Sequence, residues 1–401
     1  MILLVALAHA NGLTSHVTIS EWAIPHLPEG ELSDILGDPA LWPWLQNGTQ
    51  FPDGGYPLGE AYAETAHWEP FQDRYLAWIA ATYAGDYRSL EARQHIAFLF
   101  GMSSHGMGDQ VFDSLYMQRA YQFDAASDWE GMSMDEATDV ALASATGGQE
   151  TLDPVVPTDV IVPLMADAGV EVSASTLESG QLLTALAISY VREAGKDPVK
   201  VAEYVDAYPW AATHMMGRET PGAPEWEAAV VARYWQSRWA LLNGESSSVE
   251  PILFSFPQDG GYGLPTDHTS VESRLTVVFS RGLVPEVLVP DLFEVVDTEG
   301  TAYPLQAPWV FYGAGSHVVH LAPEADWPAD TDFVLTVHPG AHFIDGTDST
   351  ATVEIEFSSR PPPNSPDEAL PDDCGCAGRS GYPGLLAAVL GAIGVGLRRR
   401  D

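Results

Sequence analysis

The sequence predicts a multidomain chain in which a mostly α-helical domain precedes an all-β sandwich. Hydrophobic residues recur with the period of a helix up to about residue 245 and with a period of two from about residue 251. With 401 residues, of which 46% are hydrophobic, the chain is long enough for two separate cores. The predicted segments are a signal peptide over 1–10, the helical domain over 11–245, the β domain over 251–359, a linker over 360–380 and a hydrophobic tail over 381–401.

The N-terminus has the pattern of an export signal. An apolar run, Ile2–Leu7, precedes Ala8-His9-Ala10, which fits the small-x-small pattern of a signal-peptidase site. Cleavage there would leave Asn11 as the first residue of the mature protein. The competing interpretation is a buried N-terminal strand.

Several segments of the first domain space their apolar residues at three and four positions, as amphipathic helices do. Pro154, Pro157, Gly195 and Pro221 mark breaks in this pattern. The predicted helices are Leu90–Tyr121, Leu182–Ala194, Val199–Tyr208 and Glu225–Leu242.

The first of these helices carries three candidate metal ligands at intervals of four residues. His105, Asp109 and Asp113 follow an apolar run, and positions i, i+4 and i+8 drift only slowly around one helix face. A polar stripe of this kind is also typical of a solvated face. Imidazoles and carboxylates upstream favour the metal site, because together they are the ligands of a borderline metal such as zinc. These upstream candidates are His16, Asp53 and His67.

From about Pro251 the sequence alternates apolar and polar residues in short runs separated by turn clusters. Leu275–Phe279, Phe333–Val337 and Ala351–Phe357 are such runs, and about seven strands in a sandwich are predicted. The order of the pieces resembles bacterial immunoglobulin-like modules of surface proteins, which space or dock a neighbouring domain. Four histidines of this domain are expected at the surface rather than as metal ligands: His317, His320, His338 and His342.

The composition disfavours nucleic acid as a partner. The net charge is −39, from 56 acidic and 17 basic residues, so the chain is poorly suited to neutralising phosphates along a polyanion. The cysteines, Cys374 and Cys376, are spaced too closely for a disulfide framework or a four-ligand zinc site. The two predicted domains therefore contain no cysteine.

The C-terminal segment joins a linker to a short apolar stretch. Pro361–Pro366 favours an extended chain, and Leu385–Leu397 is shorter than the ~20 residues that span a bilayer. With the Cys-Gly-Cys and the closing Arg398–Arg400, this segment resembles the C-terminal sorting tails of myxobacteria and their relatives. The resemblance implies export, a sorting peptidase that acts on the tail, and attachment at the cell surface or outer membrane. A plain transmembrane anchor helix is the alternative.

The helical domain resembles the zinc-dependent phospholipase C family, and within it the glycosylphosphatidylinositol-specific phospholipase D branch. The resemblance implies an all-α fold with three zinc ions at the floor of a cleft. The segments that carry it are Asn11–Val17, Phe51–Asp53, Thr65–Phe71, Ala97–His105 and Asp109, with a weaker echo at Trp239–Gly244.

The family also implies which residues hold the first two zinc ions. The second ion would bind His16, Asp109 and the amine and carbonyl of Asn11, with Asp109 bridging both ions. A terminal amine binds a metal only when it is free, so cleavage after Ala10 would complete this site. The implied ligands of the first zinc are Asp53, His67, His105 and Asp109.

The third site departs from the family pattern, because carboxylates stand where relatives have imidazoles. The corresponding positions hold Asp113 and the pair Asp135 and Asp139. Carboxylate ligands shift the metal preference of such a site toward harder cations such as calcium, magnesium or manganese. Alternatively, the third site is empty and the pair forms an acidic helix face.

These features predict an exported, metal-dependent phosphodiesterase that cleaves phospholipids at a membrane surface, as a phospholipase C or D. Asp53 is the candidate catalytic residue, which orients or deprotonates the attacking water. The alternatives are a zinc-dependent nuclease of the same fold and a non-catalytic surface binding or structural protein that keeps the metal site. Four aromatic residues either line an apolar approach for a lipid or belong to the core: Tyr56, Tyr62, Trp68 and Phe71.

Overall fold

The computed structural model describes residues 12–124, 134–151, 153–245, 249–313 and 315–362. The described residues up to Pro361 belong to one compact unit, in which a helical region precedes a region of antiparallel sheets. The predicted signal peptide, the Cys-Gly-Cys and the hydrophobic tail lie outside the described residues. Within the described ranges, no helix is both long and apolar enough to cross a bilayer.

The helical region contains every helix that the apolar spacing predicts. The predicted helix Leu182–Ala194 lies within the longer helix Ala174–Gly195. The predicted helices Val199–Tyr208 and Glu225–Leu242 are observed as Pro198–Ala207 and Pro224–Leu242. The α-helices are α1 (Leu13–Ala23), α2 (Glu31–Leu36), α3 (Trp42–Gln50), α4 (Tyr62–His67), α5 (Glu69–Tyr83), α6 (Leu90–Val111), α7 (Gln118–Phe123), α8 (Met134–Thr146), α9 (Thr158–Asp167), α10 (Ala174–Gly195), α11 (Pro198–Ala207), α12 (Pro209–His214) and α13 (Pro224–Leu242).

The helix predicted over Leu90–Tyr121 is interrupted. It runs as α6 to Val111, widens into a π-helical stretch over Phe112–Met117, and resumes as α7. Such wide turns occur frequently at functional sites. Asp113, the last of the three candidate ligands spaced at intervals of four residues, lies in this π-helical stretch.

The central helix, α6, is buried on all sides along most of its length. A helix with no polar face to keep in water must lie inside the protein. It crosses α3 at very short range through Gly48 and Gly101: a Cβ at Gly48 would overlap the backbone of Phe98, and one at Gly101 would overlap the carbonyl oxygen of Leu45. This crossing brings the C-terminal end of α3 against the α6 turn that carries His105.

We expect Gly101→Ala to destabilise the protein by about 1–3 kcal/mol, the usual cost of extra volume in a packed interior. The loss is expected although alanine favours helix by about 1 kcal/mol, because the new methyl group would meet the Leu45 carbonyl and the Thr49 backbone. Gly30→Ala is the control, since nothing lies within 4 Å of its Cβ position. Denaturant unfolding compares the two variants, and equal free energies of unfolding would contradict the close crossing.

The β region consists of two antiparallel sheets that share one hydrophobic core. The four-stranded sheet has the order β1-β2-β5-β4 and the three-stranded sheet the order β3-β6-β7. Alternate residues point inward, as in β6, where Phe333, Leu335 and Val337 are buried. The strands are β1 (Ile252–Phe256), β2 (Leu275–Phe279), β3 (Phe293–Asp297), β4 (Trp309–Val310), β5 (Val318–Leu321), β6 (Asp332–Val337) and β7 (Val353–Ser358).

The helical and β regions pack directly against each other. The ring of Trp226 on α13 lies 4.4 Å from that of Phe254 on β1. Buried Arg119 pairs with Glu272 across the same boundary, with Nε and Oε1 2.9 Å apart. The β region is therefore held by side-chain contacts as well as by the chain that connects it.

The prediction that the β-region histidines lie at the surface is wrong for two of them. His320 is buried beside the ring of Trp309, and burial lowers its pKa to about 3. His317 is buried at the boundary with the helical region, where its backbone N–H donates to Oε1 of Gln110. His338 and His342 are partly exposed. Periodicity identifies the strands, but it does not reveal that one sheet face is covered by helices.

Candidate metal centre

Five of the predicted ligand residues converge on one buried site. The side chains come from α1, from the short 3-10 segment Pro52–Leu58, from α4 and from α6, and each is at most 4% exposed. The alternative of a solvated helix face is therefore wrong for this stripe. The five residues are His16, Asp53, His67, His105 and Asp109.

Two imidazoles in the site have their orientation set by backbone carbonyls. Nδ1 of His67 lies 2.7 Å from the carbonyl oxygen of Ala63, and Nδ1 of His105 lies 2.7 Å from that of Thr49. Since a carbonyl oxygen can only accept, both Nδ1 atoms carry the proton and donate. The Nε2 atoms then present lone pairs to the site, which is how ligating histidines are usually held.

Those two lone pairs and two carboxylates surround one point. The Nε2 atoms of His67 and His105 are 3.0 Å apart. Oδ2 of Asp109 lies 3.5 Å from the first of these nitrogens and 3.4 Å from the second. Oδ1 of Asp53 lies 3.7 Å from each. A tetrahedral ion with bonds of roughly 2.0–2.1 Å places its ligand atoms roughly 3.3–3.4 Å apart. The spacing therefore fits one divalent metal ion.

The pKa shifts follow the same geometry. Burial lowers the pKa of His105 well below its ordinary value, and the neighbouring His16 and His67 lower it further. Burial also acts to lower the pKa of His67, but the carboxylates of Asp53 and Asp109 outweigh it and raise that pKa above its ordinary value. His105 is thus a neutral ligand at neutral pH, whereas protons compete with a metal at His67.

His16 marks a second position next to the first. Its ring stacks on that of His105 with the centroids 3.8 Å apart, and its Nε2 lies 3.0 Å from Oδ1 of Asp109. Burial alone would lower the pKa of His16, but the Asp109 carboxylate raises it overall. Asp109 therefore directs one oxygen to each position. Asn11, the predicted further ligand of the second position, lies outside the described residues.

The predicted third-site carboxylates are also buried, so they do not form an exposed acidic helix face. Asp113 and Asp135 have pKa values raised well above the ordinary range, first by burial and then by a neighbouring carboxylate, which is Asp109 for Asp113 and Asp113 for Asp135. Each has an Oδ1 atom without a hydrogen-bond partner among the described residues. Unpaired buried carboxylate oxygens are costly, and a cation would satisfy them.

Asp139 has a different environment from the other two. It accepts hydrogen bonds from the backbone N–H of Ser15 at 2.8 Å and of Thr14 at 3.2 Å, and from both of their hydroxyl groups. It therefore caps the N-terminal turn of α1 from 125 residues away in sequence. Gly12 packs so closely on it that a Cβ there would overlap the Asp139 side chain. The contacts place the start of α1 beside the site.

The four aromatic residues predicted to line an approach for a lipid or to belong to the core fall into two groups, one in the hydrophobic core and one at the rim of the metal site. Tyr62 and Phe71 are buried in the hydrophobic core, whereas Tyr56 and Trp68 are partly exposed. Glu64 holds the two rim side chains by accepting from the Tyr56 hydroxyl at 3.1 Å and from Trp68 Nε1 at 2.7 Å. Both rings lie within 6 Å of the His67 ring, so the rim borders the metal ligands.

One residue at the site has no counterpart in the sequence prediction. Tyr312 of the β region reaches across the boundary and donates a hydrogen bond to Oδ2 of Asp113, and its ring lies 5.0 Å from that of Trp68. Phe311-Tyr312-Gly313 matches no motif, and the nearest metal-site residue in sequence is far upstream. No sequence signal could have indicated it.

Comparison with known proteins gives one local similarity. No known protein-family profile matches the chain. Phosphatidylinositol-glycan-specific phospholipase D of Rattus norvegicus is 29% identical over 120 residues, which cover 27% of this chain. The chain spans only 14% of the length of that relative. The similarity is therefore local, and it stands beside buried His/Asp groups that could hold a metal ion.

Solved structures add no information on the fold. A crystal structure of the S-layer protein SbsC is similar at 11% identity and a TM-score of 0.22, over 83% of this chain and 46% of that chain. The N-terminal part of the same S-layer protein is similar at 10% identity and a TM-score of 0.22, over 82% and 79% of the two chains. Scores this low carry no argument.

Proposed function

We propose that this protein is an exported, zinc-dependent phosphoric diester hydrolase that cleaves phospholipids, as a phospholipase C or D. We infer the zinc-dependent phospholipase type for the helical region and the immunoglobulin-like class for the sheets. The proposal also includes processing after Ala10 and attachment at the cell surface through the C-terminal tail, which a sorting peptidase would act on. The proposal rests on two supports: the local similarity to the rat phospholipase D, and the chemistry of the candidate metal ligands.

The observation that carries the proposal is the arrangement of His67, His105, Asp53 and Asp109. Imidazole nitrogens and carboxylate oxygens at tetrahedral spacing suit zinc, a borderline ion that takes both kinds of ligand. The Nδ1–H groups of both histidines are engaged by backbone carbonyls, so the rings cannot turn away. A metal site that served only to stabilise the fold would not need a second, adjacent set of ligands around His16.

The residues of the chain then have separable roles. When bound, neighbouring divalent ions acidify a water molecule and offset the charge of the phosphate oxygens. Asp109 holds both positions, with Oδ1 beside His16 and Oδ2 beside His67 and His105. Oδ2 of Asp53 has no hydrogen-bond partner among the described residues, so it is free to orient the attacking water or accept its proton.

The surroundings favour a lipid over a polynucleotide. Tyr56, Trp68 and Tyr312 border the ligands as partly exposed aromatic side chains, which suit an amphipathic substrate. The net charge of −39 repels a polyanion, whereas a single phosphodiester group needs little neutralisation outside the metal centre. Phospholipid at a membrane surface is therefore the proposed partner.

Phosphorus NMR tests the reaction directly. Zinc-loaded protein with Asn11 as its first residue is incubated with mixed phospholipid vesicles, beside a chelated sample. We expect a new phosphorus signal only in the zinc-loaded sample. Free phosphorylated head groups would identify a C-type enzyme, and phosphatidic acid a D-type enzyme.

The same spectra separate the competing functions. An unchanged lipid spectrum with zinc still bound would overturn the phospholipase proposal. Cleavage of single-stranded DNA by that sample would then identify a nuclease. Zinc uptake without hydrolysis of either substrate would identify a non-catalytic surface protein that retains the metal centre.

A further inference from the structure

Tyr312 brings the β region into contact with the metal centre. It follows β4, is partly exposed, and donates its phenolic hydrogen to Oδ2 of Asp113 in the π-helical stretch. Asp113 itself is only 1% exposed. The hydrogen bond therefore joins a carboxylate inside the helical region to a side chain supplied from 199 residues away.

That hydrogen bond leaves Asp113 with one free oxygen. Oδ2 is occupied by the phenol, whereas Oδ1 has no partner among the described residues. Oδ1 of Asp135 is likewise buried without a partner in the described part of the chain. Buried carboxylate oxygens without a hydrogen-bond partner suit a hard divalent cation such as Mn²⁺.

The position of Tyr312 is fixed by further contacts between the two regions. The backbone N–H of His317 donates to Oε1 of Gln110 at 2.7 Å, next to Asp109 in sequence. The N–H of Gly282 donates to Oε2 of Glu69 at 2.6 Å, two residues after His67. Each anchor lies within two residues of a candidate ligand, so the β region is aligned with the site itself and not with a remote surface.

We propose that Tyr312 is a positioning residue of the metal centre. Its hydrogen bond orients Asp113 toward a cation that Asp113 and Asp135 bind together. Docking of the β region is then a condition for a complete site. The inference depends on the proposed function only in that a divalent cation binds these carboxylates. Phospholipid hydrolysis itself is not required for it.

The test compares Tyr312→Phe with Tyr303→Phe in the full chain. Tyr303 is a matched control because it also lies in the β region and donates to a carboxylate, Oδ2 of Asp297 at 2.9 Å. After removal of metal with a chelator, each variant is titrated with Mn²⁺ by calorimetry. We expect Tyr312→Phe to weaken the Mn²⁺ affinity by about 10–100-fold, the usual effect of losing a residue that orients a ligand, and Tyr303→Phe to leave it unchanged.

A double-mutant cycle shows whether Tyr312 acts through Asp113. In the Asp113→Asn background, Tyr312→Phe should cause no further loss of Mn²⁺ affinity. Unchanged affinity in the single Tyr312→Phe variant would overturn the inference, and so would an equal loss in both backgrounds. Thermal unfolding of all variants identifies any that fail to fold; if Tyr312→Phe is one of them, Tyr312→Leu, which also lacks the hydroxyl group, takes its place. If wild type hydrolyses no phosphodiester but the affinities differ as expected, the proposed function fails and this inference stands.

Discussion

Replacing His105 with alanine is expected to slow phosphodiester hydrolysis by about a thousandfold, since the loss of ~4 kcal/mol of metal stabilisation corresponds to that factor. His105 belongs to both groups of converging ligands, the one with Asp53 and His67 and the one with His16 and Asp109. Its removal takes the Nε2 ligand from the first position and the ring on which His16 stacks from the second. Zinc per chain, measured by mass spectrometry, should fall together with the rate.

His95→Ala is the control for this experiment. His95 lies on the same helix, is 5% exposed, and hydrogen-bonds through Nδ1 to the Tyr75 hydroxyl at 2.7 Å, away from the candidate ligands. Both substitutions leave a cavity of the same size in α6, so both carry a similar packing cost. Only His105→Ala should lose zinc and hydrolysis. A matching loss in both variants would mean that the effect is one of folding.

Removing the metal from the wild-type protein is expected to lower its unfolding temperature strongly. A ligand held a thousandfold above its Kd stabilises the folded state by about 4 kcal/mol, which is roughly 8–16 °C for a domain of 150–250 residues. The physical reason is local, because without a cation the Nε2 atoms of His67 and His105, 3.0 Å apart, and the buried carboxylates beside them lose their common partner. Scanning calorimetry with and without chelator measures the shift.

The His105→Ala variant supplies the comparison for that measurement. Its metal positions are already weakened, so the chelator should change its unfolding temperature much less than that of the wild type. Readdition of Zn²⁺ should restore the wild-type value, whereas Mg²⁺, which prefers six oxygen ligands, should not. An unfolding temperature of the wild type that does not respond to the chelator would contradict a metal site at these residues.

Local pattern was sufficient for most of the architecture. The spacing in Glu225–Leu242 predicts α13, and the alternation in Leu275–Phe279 predicts β2, because each segment must bury one face whatever its partner is. The four-residue spacing of His105 and Asp109 likewise places both on one face of α6, since that property depends on helix geometry alone. Export, surface attachment and the part played by Asn11 stay predictions.

Only the tertiary structure decided which side chains meet. The capping of α1 by Asp139, the burial of His317 and the contact of Tyr312 with Asp113 join residues more than a hundred positions apart. Periodicity reports that a face is buried but not which element covers it, and a hydrogen bond depends on the final position of both partners. The sequence by itself thus determined the helices, the strands and the candidate ligands, whereas packing decided that Tyr312 of the β region contacts Asp113 beside them.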